Sequence, residues 1–203
     1  MNVHSLDIDM PEIDAAQDKR QCILQAALRL LAAKGFHGFS MKQLALEAGV
    51  ATGTVYLYFQ DKQDLIEQLH MQIMRIIADA TLVGLNPSAS PRQKYHVITH
   101  NFWHFCSTNP DILMSKGQFD HLPSDVLRTQ YSAALQLFQP LMDLFEQGRQ
   151  LGNLKNFDDQ VLLCLVLDPF LTLARKSHLG MVEVNAELLE QFIDASWDAV
   201  VAR

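Results

Sequence analysis

Apolar residues recur at helical spacing along nearly the whole chain, and no segment alternates convincingly as a half-buried strand would. The segment Asp18 to Lys34 is a clear example, because its apolar positions fall on one face of a helix: Cys22, Ile23, Ala26, Ala27, Leu30 and Leu31. The pattern therefore predicts an all-α fold.

Two short helices around a glycine turn are predicted between Ser40 and Lys62. Ser40 is placed to cap the first helix, which extends to Ala48, and Gly49 then ends it. One face of this helix is apolar at the spacing i, i+3, i+4, i+7, through Met41, Leu44, Ala45 and Ala48.

The second helix begins near Ala51 and divides into two faces. Val55 and Phe59 lie on the side that would join a core. The opposite side and its flanks carry Gly53, Thr54, Tyr56, Leu57 and Tyr58. This outward face suits a DNA groove, because a glycine permits close approach, hydroxyls reach phosphates or base edges, and a leucine contacts a thymine methyl. The stretch therefore predicts a helix-turn-helix directed at DNA.

The same stretch resembles the TetR/AcrR family of bacterial transcriptional regulators over about residues 18–64. The matching string is Gly35-Phe36, Ser40-x-x-x-Leu44-Ala45-x-x-Ala48-Gly49-Val50 and Gly53-Thr54-Val55-Tyr56-x-Tyr58-Phe59-x-x-Lys62. The resemblance implies an N-terminal three-helix bundle that contains the helix-turn-helix, followed by a C-terminal helical ligand-binding and dimerisation domain. It further implies phosphate contacts from Ser40, Thr54, Tyr56, Tyr58 and Lys62, and base proximity for Ala51, Thr52, Gly53 and Leu57.

We accordingly divide the chain into a flexible acidic tail (1–17), a DNA-binding domain (18–64) and an effector-binding and dimerisation domain (65–203). The tail lacks the basic and apolar regions of a secretory signal, so a cytoplasmic location is expected. The apolar segment Val161 to Ala174 is too short to span a bilayer and is interrupted by Asp168-Pro169, so we predict a buried helix and no membrane anchor.

Charge is distributed unevenly along this chain of net charge −7. The segment 15–62 holds six basic and three acidic residues, whereas 63–203 holds ten basic and sixteen acidic residues. A basic head and an acidic body favour one DNA-facing end. Double-stranded operator DNA is therefore the expected partner of the head.

The remaining apolar pattern predicts a long linking helix, a helix after the turn-rich segment 84–91, and further helices to the C-terminus. The predicted ranges are 61–83, 92–107, 111–119, 123–151 with a kink at Pro140, 157–178 and 185–202. The last two carry a surplus of large apolar residues: Leu162, Leu165, Val166, Leu173, Leu188, Phe192 and Trp197. They are the candidates for a homodimer interface, with a monomeric core as the alternative.

Aromatic density in the body suggests a small-molecule effector site in the helices that, by resemblance, surround the family's cavity. The candidate ligand residues are Phe102, Trp103, Cys106, Phe119, Tyr131, Phe138, Asp168 and Phe170. An ordinary core is the alternative for each aromatic residue. Asp168 stands out because a buried carboxylate is costly unless it is paired, which predicts an arginine partner, a helix-cap or interface role, or recognition of a cationic or hydroxylated ligand.

No catalytic residue, cofactor or metal site is predicted. The motifs GxSxG, P-loop, GxGxxG and HExxH are missing from the sequence. The repeat His96, His100, His104 lines one helix face without nearby cysteine or carboxylate ligands, which favours a polar rim. Cys22, Cys106 and Cys164 lack CxxC spacing. A regulator that binds DNA is favoured, with a helical protein-interaction module without specific DNA binding as the alternative.

Overall fold

The computed structural model describes residues 15–202, so the predicted acidic tail lies almost wholly outside the described residues. Helices dominate this part of the chain. One isolated antiparallel β-bridge pairs Leu154 with Val201. The α-helices are α1 (Ala15–Lys34), α2 (Met41–Glu47), α3 (Thr52–Tyr58), α4 (Lys62–Leu82), α5 (Pro91–Thr108), α6 (Pro110–Ser115), α7 (Ser124–Leu137), α8 (Gln139–Gln150), α9 (Asp159–Val166), α10 (Asp168–His178) and α11 (Ala186–Val200). A 3₁₀ segment, Lys116–His121, lies between α6 and α7. The predicted all-α fold is confirmed.

The head is formed by α1, α2 and α3 around the first half of α4, and its core consists of apolar side chains from all four helices. Fully buried members are Ile23, Leu24, Leu31, Leu44, Val55, Phe59, Leu65 and Ile66. Cys22 is exposed, which corrects its predicted inward position. The buried face of α1 is centred one residue later than predicted, so Leu24 is buried in the core that Cys22 was expected to join.

The body packs α5 against α4, α10 and α11 around a second apolar cluster. Tyr95 of α5 is buried there, where its hydroxyl donates a 2.8 Å hydrogen bond to Ser196 of α11. Burial raises the pKa of Tyr95 to about 12, despite that hydrogen bond. This neutral buried contact fixes the last helix against the centre of the body.

Two long predicted helices are each divided in the structure. The predicted 123–151 helix is two helices, α7 and α8, which meet at Phe138, and the predicted 157–178 helix breaks at Leu167 into α9 and α10. In both cases a proline, Pro140 or Pro169, occupies the first turn of the following helix. Proline lacks an N–H and clashes with the preceding turn, so it begins a new helix more readily than it continues one.

Side chains from both sides of the predicted boundary at residue 64 pack together. Helix α4 contributes to both apolar clusters, and Phe119 and Leu122 from beyond α6 are buried within the head's cluster. The division into domains therefore stays a prediction. The structure adds that residues of the body complete the core of the head.

Candidate DNA-binding surface and effector cavity

The start of α2 and the turn that follows it are both defined by local backbone features. Ser40 Oγ accepts from Gln43 N at 3.2 Å, and Gln43 Oε1 accepts from Ser40 N at 2.9 Å, so both ends of a capping box are present. Gly49 follows with a φ of 67°, a conformation that costs glycine little. Val50 N then donates to the Ala45 carbonyl oxygen at 2.9 Å, so the chain turns between α2 and α3 directly after Gly49.

Each α3 residue that was predicted to meet DNA is at least partly exposed. Val55 and Phe59 are buried, whereas Leu57 is 82% exposed and Tyr56 is 53% exposed. Gly53 is exposed, and a Cβ built there would meet no heavy atom within 4 Å. The head therefore does not require glycine at this position for its own packing. Ala51 and Thr52 are exposed as well, and Thr54 and Tyr58 are half-buried.

Lys62 begins α4 and is held against the loop that precedes α2. Its ammonium lies 4.0 Å from the ring centroid of Phe39 and donates a hydrogen bond to the Phe39 carbonyl oxygen. Partial burial lowers the pKa of Lys62. The lysine predicted to contact a phosphate thus also joins α4 to the head, a structural contact that the sequence did not indicate.

Two carboxylates and one further lysine lie near the same surface. Asp61 caps α4 by accepting from Asp64 N at 2.9 Å, and Asp64 accepts from Gln60 N at 2.8 Å. Lys42, in the first turn of α2 next to Ser40, is exposed. Lys42 was not among the predicted DNA contacts, although helical spacing places it on the polar face of α2.

A cavity of about 320 Å³ lies in the body between α4, α5, α7 and α9. Six of the eight predicted ligand residues line it: Phe102, Cys106, Phe119, Tyr131, Phe138 and Asp168. Trp103 and Phe170 do not line it, which corrects their assignment. Phe170 is fully buried and meets the Phe192 ring edge-on at 5.0 Å, while Trp103 packs against the body's apolar cluster.

Sequence reasoning missed part of the cavity wall. Ile73, Met74 and Ile77 line it from α4, and Leu163 and Cys164 line it from α9, with Leu167 at the end of that helix. The α4 residues recur at i, i+1 and i+4, so a second apolar stripe on the linking helix was readable. Burial raises the pKa of Cys106 to about 12, and it also raises the pKa of Cys164.

Asp168 is exposed at the cavity wall rather than buried within an apolar helix. Its side chain is 54% exposed and lies 3.6 Å from the ammonium of Lys116, whose side chain is 48% exposed. The sequence predicted an arginine as one possible partner, whereas the structure pairs Asp168 with a lysine of the 3₁₀ segment. Helix α10 begins at Asp168, so the carboxylate projects from an exposed first turn.

The 3₁₀ segment also touches the head. Gln118 Oε1 accepts from Phe36 N at 2.9 Å, and the His121 ring lies 5.8 Å from that of Phe36. Gly35 permits this approach, because a Cβ there would lie 2.9 Å from Gln118 Oε1. Phe119 both belongs to the head's buried cluster and lines the cavity. One short segment thus contacts the cavity and the turn that leads into α2.

The two predicted dimerisation helices are three in the structure, α9, α10 and α11. Leu162 and Val166 are fully buried in the protomer's own core, which corrects their assignment to an interface. The other predicted members remain half-exposed: Leu165, Leu173, Leu188, Phe192 and Trp197. Within residues 15–202 no helix combines the length and apolar character that crossing a bilayer would need.

The histidines of α5 lie on one face. His96 Nε2 is 2.8 Å from a Glu190 carboxylate oxygen of α11, and the rings of His96 and His100 stack 6.0 Å apart. Among the described residues, no group of three or more histidine, cysteine or acidic side chains is placed to hold a metal ion.

Two family models match this arrangement. Residues 23–69 match the bacterial regulatory proteins of the tetR family, and residues 91–201 match the tetracyclin repressor-like C-terminal domain. The chain belongs to the TetR family. It is a TetR-family transcriptional regulator and not an enzyme, as the sequence predicted.

Relatives of this TetR-family chain match over nearly its full length. An HTH-type transcriptional regulator of Haemophilus influenzae is 29% identical over 92% of this chain and 97% of its own. The structure of a TetR-family protein from Vibrio parahaemolyticus superposes with a TM-score of 0.82, at 35% identity over 92% of this chain and all of that one. FadR of Bacillus subtilis, solved with stearoyl-CoA, shares the fold with a TM-score of 0.70 at 18% identity, over 88% of this chain and 95% of its own.

Proposed function

We propose that this TetR-family regulator is a dimeric repressor that binds a palindromic operator and is released by a small apolar or aromatic effector. The observation that carries the proposal is a DNA-facing helix and an apolar cavity joined by one continuous helix, α4, which begins in the head and lines the cavity. A ligand in the cavity therefore contacts the element that positions the head.

The exposed face of α3 supports the DNA assignment. Leu57 and Tyr56 project large surfaces into solvent from a helix whose other side is fully buried. An exposed leucine on a major-groove helix contacts thymine methyl groups, and tyrosine hydroxyls donate to phosphates. We assign base contacts to Ala51, Thr52, Gly53 and Leu57, and phosphate contacts to Ser40, Thr54, Tyr56, Tyr58 and Lys62.

The half-exposed apolar residues of α9, α10 and α11 support a homodimer. They lie on the C-terminal side of the molecule, in the segment that matches the tetracyclin repressor-like domain. A two-fold dimer presents two heads to two half-sites, and their separation must match about one helical turn of DNA, about 34–36 Å. Any change in the spacing of the heads then weakens operator binding.

Two routes connect the cavity to the head. Ile73 and Ile77 of α4 line the cavity, so a ligand displaces the helix that carries the head. The 3₁₀ segment adds a second route, because Phe119 lines the cavity while Gln118 holds the Phe36 amide. An effector that favours the misaligned dimer by about 1–3 kcal/mol changes operator affinity about 5- to 150-fold.

Footprinting of the full chain on the DNA upstream of its own gene tests the proposal. A protected, roughly palindromic segment is expected, and Leu57→Ala should relax the preference at one base position while the footprint remains. A compound panel is then scored for thermal stabilisation and for release of that DNA. Compounds that stabilise the protein without releasing DNA would refute release by an effector.

An alternative is a helical module whose head binds protein without specific DNA binding. The two predict different responses to salt, because neutralised phosphates release counterions and make DNA affinity fall steeply with ionic strength. Weak retention on DNA without sequence preference, independent of salt, would favour the alternative.

A further inference from the structure

We propose that the cavity takes a cationic amphiphile whose apolar part lies among the aromatic residues and whose positive group pairs with Asp168. This inference rests on the proposed function, since it names the class of effector that the repressor would sense. It follows from the chemistry of the cavity wall and of its rim.

The walls select an apolar or aromatic body. Phe102, Phe105, Phe119, Tyr131 and Phe138 contribute rings, and the wall is otherwise mainly aliphatic. Faces of aromatic rings attract cations as well as apolar groups. An uncharged or cationic ligand is therefore favoured by the rings, whereas an anion gains nothing from their faces.

The fixed charges at the rim also favour a cation. Among the described residues that line the cavity, Lys116 is the one basic side chain and Asp168 the one acidic side chain, so the pair is neutral overall. Asp120, which follows Phe119 in the 3₁₀ segment, adds a negative charge. Burial together with the charges of Asp120 and Asp168 raises the pKa of Tyr131. Asp120 and Asp168 thus both act on the Tyr131 ring of the cavity wall, against the single ammonium of Lys116.

The same count of charges argues against a ligand with several phosphates. Stearoyl-CoA, which FadR of Bacillus subtilis was solved with, carries a multiply charged phosphorylated group. Recognition of phosphates ordinarily uses clusters of arginine or lysine. A lone lysine beside two carboxylates does not provide such a cluster.

Asp168 is available for exchange between partners. The Lys116–Asp168 distance is 3.6 Å and both side chains are about half-exposed, so the pair contributes little stability and is readily broken. A ligand cation that takes over the carboxylate frees Lys116, the first residue of the 3₁₀ segment. That segment contacts the head through the hydrogen bond between Gln118 and the Phe36 amide. A change of partner at Asp168 can therefore alter this contact.

A matched series of decyl compounds tests the charge selection: decyltrimethylammonium, decanol and decanoate, each titrated calorimetrically into the full chain below its micelle concentration. The cation is expected to bind tightest. Asp168→Asn should weaken its binding about 10-fold, the loss expected for one charged contact, while leaving decanol unchanged. Lys116→Gln should strengthen the binding of the cation. Asp125→Asn, which removes an exposed carboxylate of α7 away from the cavity, serves as control.

Several outcomes would overturn the inference. Decanoate binding tightest and weakening in Lys116→Gln would assign an anionic ligand. Equal binding of all three compounds, or a cation whose affinity is unaffected by Asp168→Asn, would show that the protein does not select its ligand by charge. Operator release is measured separately on the same samples. A cation that binds through Asp168 without releasing DNA would support the cationic ligand class and refute release by an effector. Release by decanoate alone would support release by an effector and refute the cationic ligand class.

Discussion

Lys62 illustrates how one side chain serves two purposes. Its ammonium stacks on Phe39 and holds the Phe39 carbonyl, which joins α4 to the loop before α2. An ammonium has three N–H donors, so a phosphate contact is still open to it when DNA arrives. The structural contact fixes the charge at the start of α4, beside the loop that precedes α2.

We expect Lys62→Ala to affect both DNA binding and stability. Operator affinity should fall nearly uniformly across sequences, and the slope of log affinity against log salt should decrease by about one unit. The free energy of unfolding should fall by about 1 kcal/mol with the lost cation–π contact. Salt titrations of DNA binding and urea unfolding measure the two effects. Lys94→Ala in α5 removes the same charge from the body as a control, and an unchanged slope for Lys62→Ala would leave only the structural role.

His70 is a buried titratable group at the junction of head and body. It is 2% exposed, its Nδ1 donates to Gln130 Oε1 of α7, and its ring stacks on Phe119 at 4.6 Å. Desolvation lowers the pKa of His70, opposed by the Gln130 hydrogen bond and the charge of Asp120. The neutral imidazole is therefore part of the folded structure.

His70 predicts a loss of stability in mild acid. Unfolded histidine has a pKa of about 6.5, so below that pH the unfolded chain binds a proton that folded His70 does not. The contribution of His70 to the free energy of unfolding is complete above a pH of about 6.5. It declines as the pH falls towards the lowered pKa of His70 in the folded protein, by at most about 1.4 kcal/mol per pH unit. Urea unfolding is measured between about pH 7.5 and about pH 5, which spans the titration range of histidine. The free energy of unfolding should decline less over this range in His70→Gln than in wild type. His178→Gln, an exposed histidine of α10, should behave like wild type, and equal slopes for all three proteins would contradict the assignment.

At the scale of elements, prolines and the 3₁₀ segment decide how the helices are joined. The breaks before α8 and α10 follow from Pro140 and Pro169 in first turns. The break at α10 exposes Asp168, which an uninterrupted helix was expected to bury. The 3₁₀ segment follows α6 and places Gln118 against the Phe36 amide.

Gln118→Ala should weaken the coupling between effector and operator. The ratio of operator affinities without and with an effector should fall about 2- to 30-fold, the range for residues that link two sites, while effector-free affinity changes little. The reason is that a ligand-induced shift of the 3₁₀ segment no longer pulls on the Phe36 amide. DNA titrations with and without effector measure this ratio. Gln136→Ala, an exposed glutamine of α7, is the control, and an unchanged ratio in Gln118→Ala would leave α4 as the sole route.

At the scale of the whole molecule, the protomer leaves part of its C-terminal apolar surface uncovered. Leu165 of α9 and Leu188 of α11 are half-exposed, whereas Leu162 and Val166 are buried in the protomer. Phe192 is also half-exposed, but its ring packs on Phe170 at 5.0 Å. A charge at Leu165 therefore tests the interface with less damage to the core than a charge at Phe192.

We expect Leu165→Glu to yield folded monomers, because an unpaired charge in a desolvated interface costs about 3–5 kcal/mol. Operator affinity should fall with it, since a monomer holds one half-site. Sedimentation measures the assembly and circular dichroism verifies the fold. Leu46→Glu, which charges an 83% exposed leucine of the head, is the sedimentation control and should stay dimeric. A folded Leu165→Glu dimer would contradict this interface.

The sequence by itself determined the local features of this protein. Helical periodicity predicted the helices, the cap at Ser40 and the turn at Gly49 predicted the helix-turn-helix, and period alone separated Val55 from Leu57. These features depend on residues a few positions apart, whose geometry is fixed by the backbone of one or two helical turns. The string from Gly35 to Lys62 was sufficient to suggest the family.

Tertiary structure alone decided which residues meet across the fold. Phe102 and Phe138 line the cavity while Phe170 is core, although all three are aromatic residues in apolar helices. The Gln118–Phe36 hydrogen bond joins residues 82 positions apart, and Asp168 finds Lys116 rather than a buried partner. The apolar periodicity of a helix indicates which side chains face the interior. Which interior surface they face depends on how whole helices pack together, and that packing is set by many contacts between residues distant in sequence.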